Sequence, residues 1–264
     1  MIIRKPGRKR LELEIVCRGQ SASAALLNEF GGRVEALPRN WLKRFARADS
    51  KPIKIGRRLV VSNIGGTLVS RPSRHTGRSH LIIPASLAFG TGEHATTAMS
   101  LRLLEQLTRC WNPGWSLVDL GSGSGILALA AKRFGAGQVI GIDNDPAAIS
   151  VAKSNARLNK IRGAAFQLGD VLKWNPTQTN DVITANLYSD LLIEIVPKLR
   201  GGGSLILSGI LRSQEGDVVR ALQRNKLDVI SIKRRGKWTA CLARSRGCTV
   251  RCPQRRTLAV TAIR

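Results

Sequence analysis

"VDLGSGSG", residues 118–125, reads as a buried strand that runs straight into a loop of alternating glycine and serine. The next stretch, "ILALAAKRFGA", has the apolar spacing of a helix and ends on glycine. Glycine at 121, 123 and 125 frees the backbone for left-handed turns, and it lets a bound group approach with no Cβ in the way. A dinucleotide fingerprint of the G-x-G-x-x-G form needs its last glycine at 126, where Ile126 stands; here glycine falls one place earlier.

Downstream, strands and helices alternate. "QVIGID" is a strand, and "DPAAISVAKSNARLNK" is a helix with Asp145 at its N-cap and Pro146 in its first turn. "AAFQLGD" and "DVITANL" follow as strands, "SDLLIEIVPKLR" as a helix, "GGGSLILSGI" as a strand and "SQEGDVVRALQRN" as a helix. This alternation implies an α/β, doubly wound, mostly parallel sheet with helices on both faces. Ligands bind such sheets at the carboxyl ends of the strands. Those ends carry Asp119, Asp143, Asp170 and Asn186 in order. Asp143, 22 residues after Gly121, stands where a carboxylate accepts ribose hydroxyls. Asp170 is placed to meet a purine edge. The set suits an adenosyl group and aims no lysine or arginine at a phosphate.

Upstream, "AFGTGEHATT" (88–97) is a second small-residue segment that leads into a helix. Residues 1–52 read as a small α+β unit, with "LELEIVC" as a strand and "SASAALLNEFGG" as a helix. Residues 53–80 read as a linker that contains the strand "RRLVVS" and the polar, basic turn region "RPSRHTGRSH". Residues 81–246 form the α/β domain and 247–264 a basic tail.

Composition narrows the class. No apolar run approaches the ~18 residues of a membrane span, and the start is a poor signal peptide, so a cytoplasmic protein without membrane contact is expected. Five cysteines without a C-x-x-C pair argue against a disulfide framework and against a metal site. The net charge is +26. The first 80 residues hold 18 Lys/Arg against 5 Asp/Glu, and the last 24 hold 6 against none. Such a field attracts polyanions, RNA first among them. One Tyr, five Phe and five Trp offer little for base-specific stacking, so nonspecific contact with ribosomal RNA through the basic N-terminal region and tail is the expectation.

The D-x-G-x-G-x-G form of 119–125 resembles the glycine loop of S-adenosylmethionine-dependent methyltransferases. "NLYSD" (186–190) keeps the Asn and an aromatic of the N-P-P-Y stretch found in many amino-group methyltransferases, without the prolines. "PASLAFGTGEHATT", "VDLGSGSGILALAA", "VIGIDNDPAAISVAKSNARLN", "ANLYSDLL" and "LILSGILRSQ" together resemble segments of the ribosomal protein L11 methyltransferase family, in its order and spacing. The likeness covers roughly residues 40–245. It implies a seven-stranded Rossmann-like methyltransferase sheet behind a small α+β substrate-recognition domain. It also implies S-adenosyl-L-methionine as cofactor, with contacts from Thr97, Gly121, Asp143 and Asn186, from Thr96, Phe89 and Gly123 beside them, and from Asp170. Asn186 and a backbone carbonyl near Leu187 would hold the reacting amine. Gly90 and Gly92 would let their segment open and close, and His94 would anchor it. The implied enzyme N-methylates a lysine side chain or N-terminal amine of a large-subunit ribosomal protein and works as a monomer. The charge keeps two alternatives open: a methyltransferase acting on RNA or another acceptor, and a noncatalytic RNA- or ribosome-binding relative.

Overall fold

The computed structural model describes residues 52–63, 78–84, 90, 92–176, 179–201 and 203–245, together with 2–3, 12–13, 24, 27–29, 31 and 33. The chain divides into two compact units, Met1–Trp41 and Leu42–Arg264. In the first, β1 (Ile2–Ile3) pairs antiparallel with β2 (Glu12–Leu13). Residues 24 and 27–29 are helical, and the Gly31 N–H donates to the Leu27 carbonyl with Gly31 at φ +66°, the left-handed glycine stop read from "NEFGG". The tail 247–264 lies outside the described residues.

The second unit holds two sheets. The small one is β3 (Ile53–Ile55), β4 (Leu59–Ser62) and β5 (Ser79–Ile82), with β4 central. The large one has seven strands: β6 (Ser116–Leu120), β7 (Gln138–Asp143), β8 (Ala164–Leu168), β9 (Val182–Asn186), β10 (Ser204–Leu211), β11 (Leu227–Arg235) and β12 (Trp238–Ser245), in the spatial order β11-β12-β10-β9-β6-β7-β8. The five strands from β10 to β8 are mutually parallel, and β12 runs antiparallel to both β10 and β11. Among the described residues, α1 (Ala95–Thr108) leads into this sheet, and α2 (Ile126–Arg133), α3 (Pro146–Leu158), α4 (Ser189–Ile195) and α5 (Glu215–Arg224) follow its strands.

Each central strand is apolar on both sides, because helices cover both faces. On β6, Leu117 joins a core with α1, α2 and α3, while Val118 and Leu120 join a second core with α4 and α5. This is the doubly wound α/β architecture expected from the sequence. The α3 start was legible in detail: the Asp145 carboxylate accepts from the Ala147 N–H at 2.8 Å, one residue past Pro146. Two boundaries moved. The helix read over 189–200 leaves α geometry at Ile195 and continues as a 3₁₀ turn, Val196–Gly201, because Pro197 lacks the N–H a further α turn needs. His80 and Ser79, read as part of a turn, belong to β5.

The small sheet is built into the core. Ile55, Leu59, Val61, Leu81 and Ile83 pack with α1 and α2. Arg58, at the β3–β4 turn, donates from Nη1 to the Thr108 carbonyl at 3.1 Å and from Nη2 to the Phe134 carbonyl at 2.6 Å. Its cation thus sits at the carboxyl ends of α1 and α2, where the helix dipoles favour positive charge. Among the described residues, no helix is long and apolar enough to cross a membrane.

Candidate cofactor and methyl-acceptor site

The carboxyl ends of β6, β7, β8 and β9 meet at one edge of the sheet. The glycine loop after β6 takes left-handed conformations at Gly121, Gly123 and Gly125, with φ of +71°, +53° and +78°. At Gly121 a Cβ would stand 2.4 Å from Leu187 Cδ2, and at Gly125 it would stand 2.9 Å from the Phe166 ring. The glycines therefore serve two approaches: Leu187 closes on the loop from β9, and Phe166 from β8.

Asp143 organises the loop. Its Oδ2 accepts from the Gly123 N–H at 2.8 Å, and its Oδ1 accepts from the Asp145 N–H at 3.0 Å. Each oxygen keeps acceptor capacity, and the residue is half-buried at the mouth. Gly169 N donates to the Asp143 carbonyl at 2.9 Å, so the β8 end that carries Asp170 lies against it. Asp170 Oδ1 accepts from the Leu172 N–H at 2.9 Å and fixes the turn that follows.

A second group forms across the loop. Thr96 and Thr97 open α1 and are buried. Thr97 Oγ1 accepts from Asn186 Nδ2 at 3.3 Å, which orients the amide with Oδ1 as its remaining acceptor. Ser208 Oγ donates to the Thr96 carbonyl at 3.2 Å, and Leu187 N donates to the Ser208 carbonyl at 3.0 Å. The Leu187 carbonyl lies so close to Gly209 that a Cβ there would come within 2.2 Å of it; Gly209, at φ +85°, is the position where β10 bulges. Leu187 joins the two groups: its backbone belongs to the Asn186 side, and its side chain rests on Gly121. Phe89 lies outside the described residues.

His94 is the N-cap of α1. Its Nδ1 shares a 2.7 Å hydrogen bond with Thr96 Oγ1, and its ring meets Trp238 edge-on at 5.0 Å. Burial, then the Lys237 charge, lower its pKa and favour a neutral imidazole. It anchors the segment, as the sequence reading preferred.

Beyond the strand-end reading of Asp119, several contributors were not singled out from sequence. Asp119 is fully buried, and its pKa is raised to about 7 by burial, against hydrogen bonds from Thr184 and the Ala128 amide. Thr184 Oγ1, directly across from it on β9, donates to Oδ1 at 2.6 Å, while Oδ2 has no hydrogen-bond partner among the described residues. Ser124 Oγ donates to the Gly90 carbonyl at 2.5 Å, and Asn155 Nδ2 donates to the Ser124 carbonyl at 2.8 Å. Asn159, one turn further along α3, holds both the N–H and the carbonyl of Ile82 at 2.7 Å. This chain of contacts answers why two small-residue segments flank one helix: the stretch at 90 and the glycine loop are tied to each other. Two asparagines four apart on an alanine-rich helix were the available signal.

The arrangement fits an adenosyl group. A carboxylate with acceptor capacity stands at the second strand end, glycine backbone is laid open at the first, and an amide oxygen lies across from them. Ser122 Oγ, buried in the loop, has no partner among the described residues.

Comparison with known proteins agrees with the geometry. The family described as "Ribosomal protein L11 methyltransferase (PrmA)" matches residues 18–246. The ribosomal protein L11 methyltransferase of Pelotomaculum thermopropionicum is 39% identical over 203 residues, which cover 74% of this chain and 62% of that protein. That of Desulforapulum autotrophicum is 38% identical over 194 residues, 69% of this chain and 63% of that protein. The chain thus spans a little over six-tenths of the length of these curated relatives. A crystal structure of ribosomal protein L11 methylase from Lactobacillus delbrueckii subsp. bulgaricus superposes with a TM-score of 0.65 at 27% identity, over 74% of this chain and all of that one.

Proposed function

This chain belongs to the ribosomal protein L11 methyltransferase family, and from that premise we propose that it is an S-adenosylmethionine-dependent methyltransferase that N-methylates lysine or N-terminal amines of a large-subunit ribosomal protein in the cytoplasm. The cofactor contacts are Thr96, Thr97, Gly121, Gly123, Asp143, Asp170 and Asn186, with Phe89 beside them. Residues 1–52 recognise the acceptor, the α/β domain of 81–246 carries the site, and the active unit is a monomer. Nonspecific ribosomal RNA contact through the basic N-terminal region and tail accompanies this reading.

The observation that supports it most is the Asn186 amide, locked by Thr97 at the end of β9, across the glycine loop from the Asp143 carboxylate. S-adenosylmethionine supplies an electrophilic methyl on a sulfonium. The residues of the chain do the rest by placement. Asp143 accepts ribose hydroxyls, and Asp170 stands at the purine edge. Asn186 Oδ1 accepts an N–H of the incoming amine and turns its lone pair toward the methyl, with the Leu187 carbonyl beside it. At pH 7, stripping a lysine ammonium costs roughly 4–5 kcal/mol and an α-ammonium about 1 kcal/mol. Desolvation beside a sulfonium lowers that cost, so alignment matters more than a dedicated base.

Calorimetric titration of S-adenosylmethionine into wild type and Asp143→Ala tests the cofactor site: saturable binding, lost in the variant, is expected. Mass spectrometry of a ribosomal protein acceptor incubated with enzyme and cofactor then reads the added methyls. Failure of a folded wild type to bind the cofactor overturns the reading.

A further inference from the structure

Beyond Asn186 the carboxyl edge of the sheet continues, and its character changes. Tyr188, the single tyrosine of the chain, follows Leu187 and is 80% exposed. Next along the edge comes β10, where Ser208 is in register with Asn186 and Leu211 with Trp238 of β12. Arg212 N donates to the Lys237 carbonyl at 2.9 Å, so the β11–β12 turn, Gly236–Lys237, closes onto the end of β10. Arg212, Arg235 and Lys237 are exposed. At the strand spacing of ~4.8 Å, the turn lies about 10–14 Å across the sheet from β9.

Arg212 lies in the field of the Glu215 carboxylate. The same carboxylate accepts from Arg234 Nε at 2.8 Å and from Thr239 Oγ1 at 2.8 Å. Asp217 pairs with Arg220. Among the described residues, Arg212, Arg235 and Lys237 form no ion pair; Lys237 lies over the Trp238 ring at 5.3 Å. Arg235 ends β11, Lys237 sits in the turn that follows, and Arg212 leaves β10 with its N–H bonded to the Lys237 carbonyl, so the three charges are gathered at one end of the hairpin. An exposed aromatic at one end and unpaired cations at the other match a polymer with both stacking bases and a regular line of anions.

We propose that the rim from Tyr188 through Arg212 to Arg235 and Lys237 is a contact surface for single-stranded or looped RNA, whose phosphodiesters lie on the hairpin while a base stacks on Tyr188. It differs in place from the charge of the N-terminal region and tail, because it begins at the acceptor end of the site. It rests on the reading of residues 186–188 as that end, and it implies that the acceptor is met together with RNA.

The test uses the full chain and a short fluorescent oligouridylate, with anisotropy read across a salt series. A triple variant, Arg212→Gln with Arg235→Gln and Lys237→Gln, is expected to bind about tenfold or more weakly at ~0.1 M salt, with the slope of log Kd on log salt reduced by about 2, as three lost single-strand phosphate contacts require. Tyr188→Ala is expected to weaken binding severalfold with the slope kept, and Tyr188→Phe to restore it. A control triple, Lys153→Gln and Arg157→Gln on α3 with Lys160→Gln two residues past its end, should leave the affinity near wild type. Equal loss in the α3 control, no loss in the rim variant, or equally tight binding of polyglutamate overturns the proposal; the last result points to an acidic protein instead. Cofactor titration separates the two readings. A rim variant that has lost oligouridylate binding while even wild type ignores S-adenosylmethionine upholds the RNA surface and removes the methyltransferase.

Discussion

One sheet carries two opposite charge environments on the same edge. From β8 to β6 the strand ends present Asp170, Asp143 and the buried Asp119. From β10 to β11 they present Arg212, Arg235 and Lys237. Two carboxyls make the contrast measurable. Asp119 has its pKa pushed up to about 7, mainly by burial, whereas Glu215 has its pKa lowered, first by the Arg234 hydrogen bond. The acidic half keeps its carboxylates among backbone amides and hydroxyls. The basic half sets the Glu215 carboxylate against the Arg234 guanidinium and, among the described residues, leaves Arg212, Arg235 and Lys237 without an ion pair.

The strongest attack on the contrast is Asp143→Ala. Removing acceptors for two ribose hydroxyls, at about 1.5–3 kcal/mol for each hydrogen bond to a charged group, should weaken S-adenosylmethionine binding by ~100-fold or more in calorimetry. RNA affinity should stay unchanged; if it falls as well, the two halves are not independent. Asn186→Ala should lower kcat by roughly 10–100-fold through lost alignment, with a smaller change in cofactor affinity, as read in a methyl-transfer assay.

The pH dependence of stability sharpens the comparison further. Because the folded state holds the Asp119 proton up to about 7 and the unfolded chain releases it near 3.9, its contribution is full below ~3.9 and is lost as pH rises through ~7. Thermal unfolding of Asp119→Asn should therefore show a flatter profile over that window, by up to roughly 1.4 kcal/mol per pH unit. Glu215 has the opposite sign: its contribution is present above the unfolded value and is lost as pH falls through its lowered folded value. Glu215→Gln should cost on the order of 1 kcal/mol at neutral pH, and that cost should vanish in acid. Identical signs in the two variants would break the comparison.

The two halves also differed in how well they could be read beforehand. The acidic half is written in local chemistry. Glycines at 121, 123 and 125 take the left-handed φ that only they take cheaply, and Asp143 falls where a strand must end. Asp145-Pro146 is a helix start that needs no tertiary help. The basic half lacks such marks. "LDVISIKRRGKWTACLARS" pairs into an antiparallel hairpin, but its cations interrupt the alternation that identifies a strand, and its face is set by contact with β10 rather than by its own pattern. Burial was hidden for the same reason. Asp119, Asn155 and Thr184 look like ordinary polar residues until the sheet and α3 close over them. The 53–62 stretch read as a connector because its partners, α1 and α2, lie about 40 to 80 residues later in the chain.

The grip of Asn159 on Ile82 has one more consequence. β5 is an outer strand of the small sheet, and an outer strand offers its unpaired N–H and carbonyl groups to any passing chain. At Ile82 both groups are already engaged by a side-chain amide that imitates a neighbouring strand. The asparagine thus acts as a stopper against self-association. Asn159→Ala would uncover that edge, and the first symptom should be loss of solubility on concentration, appearing before any loss of secondary structure.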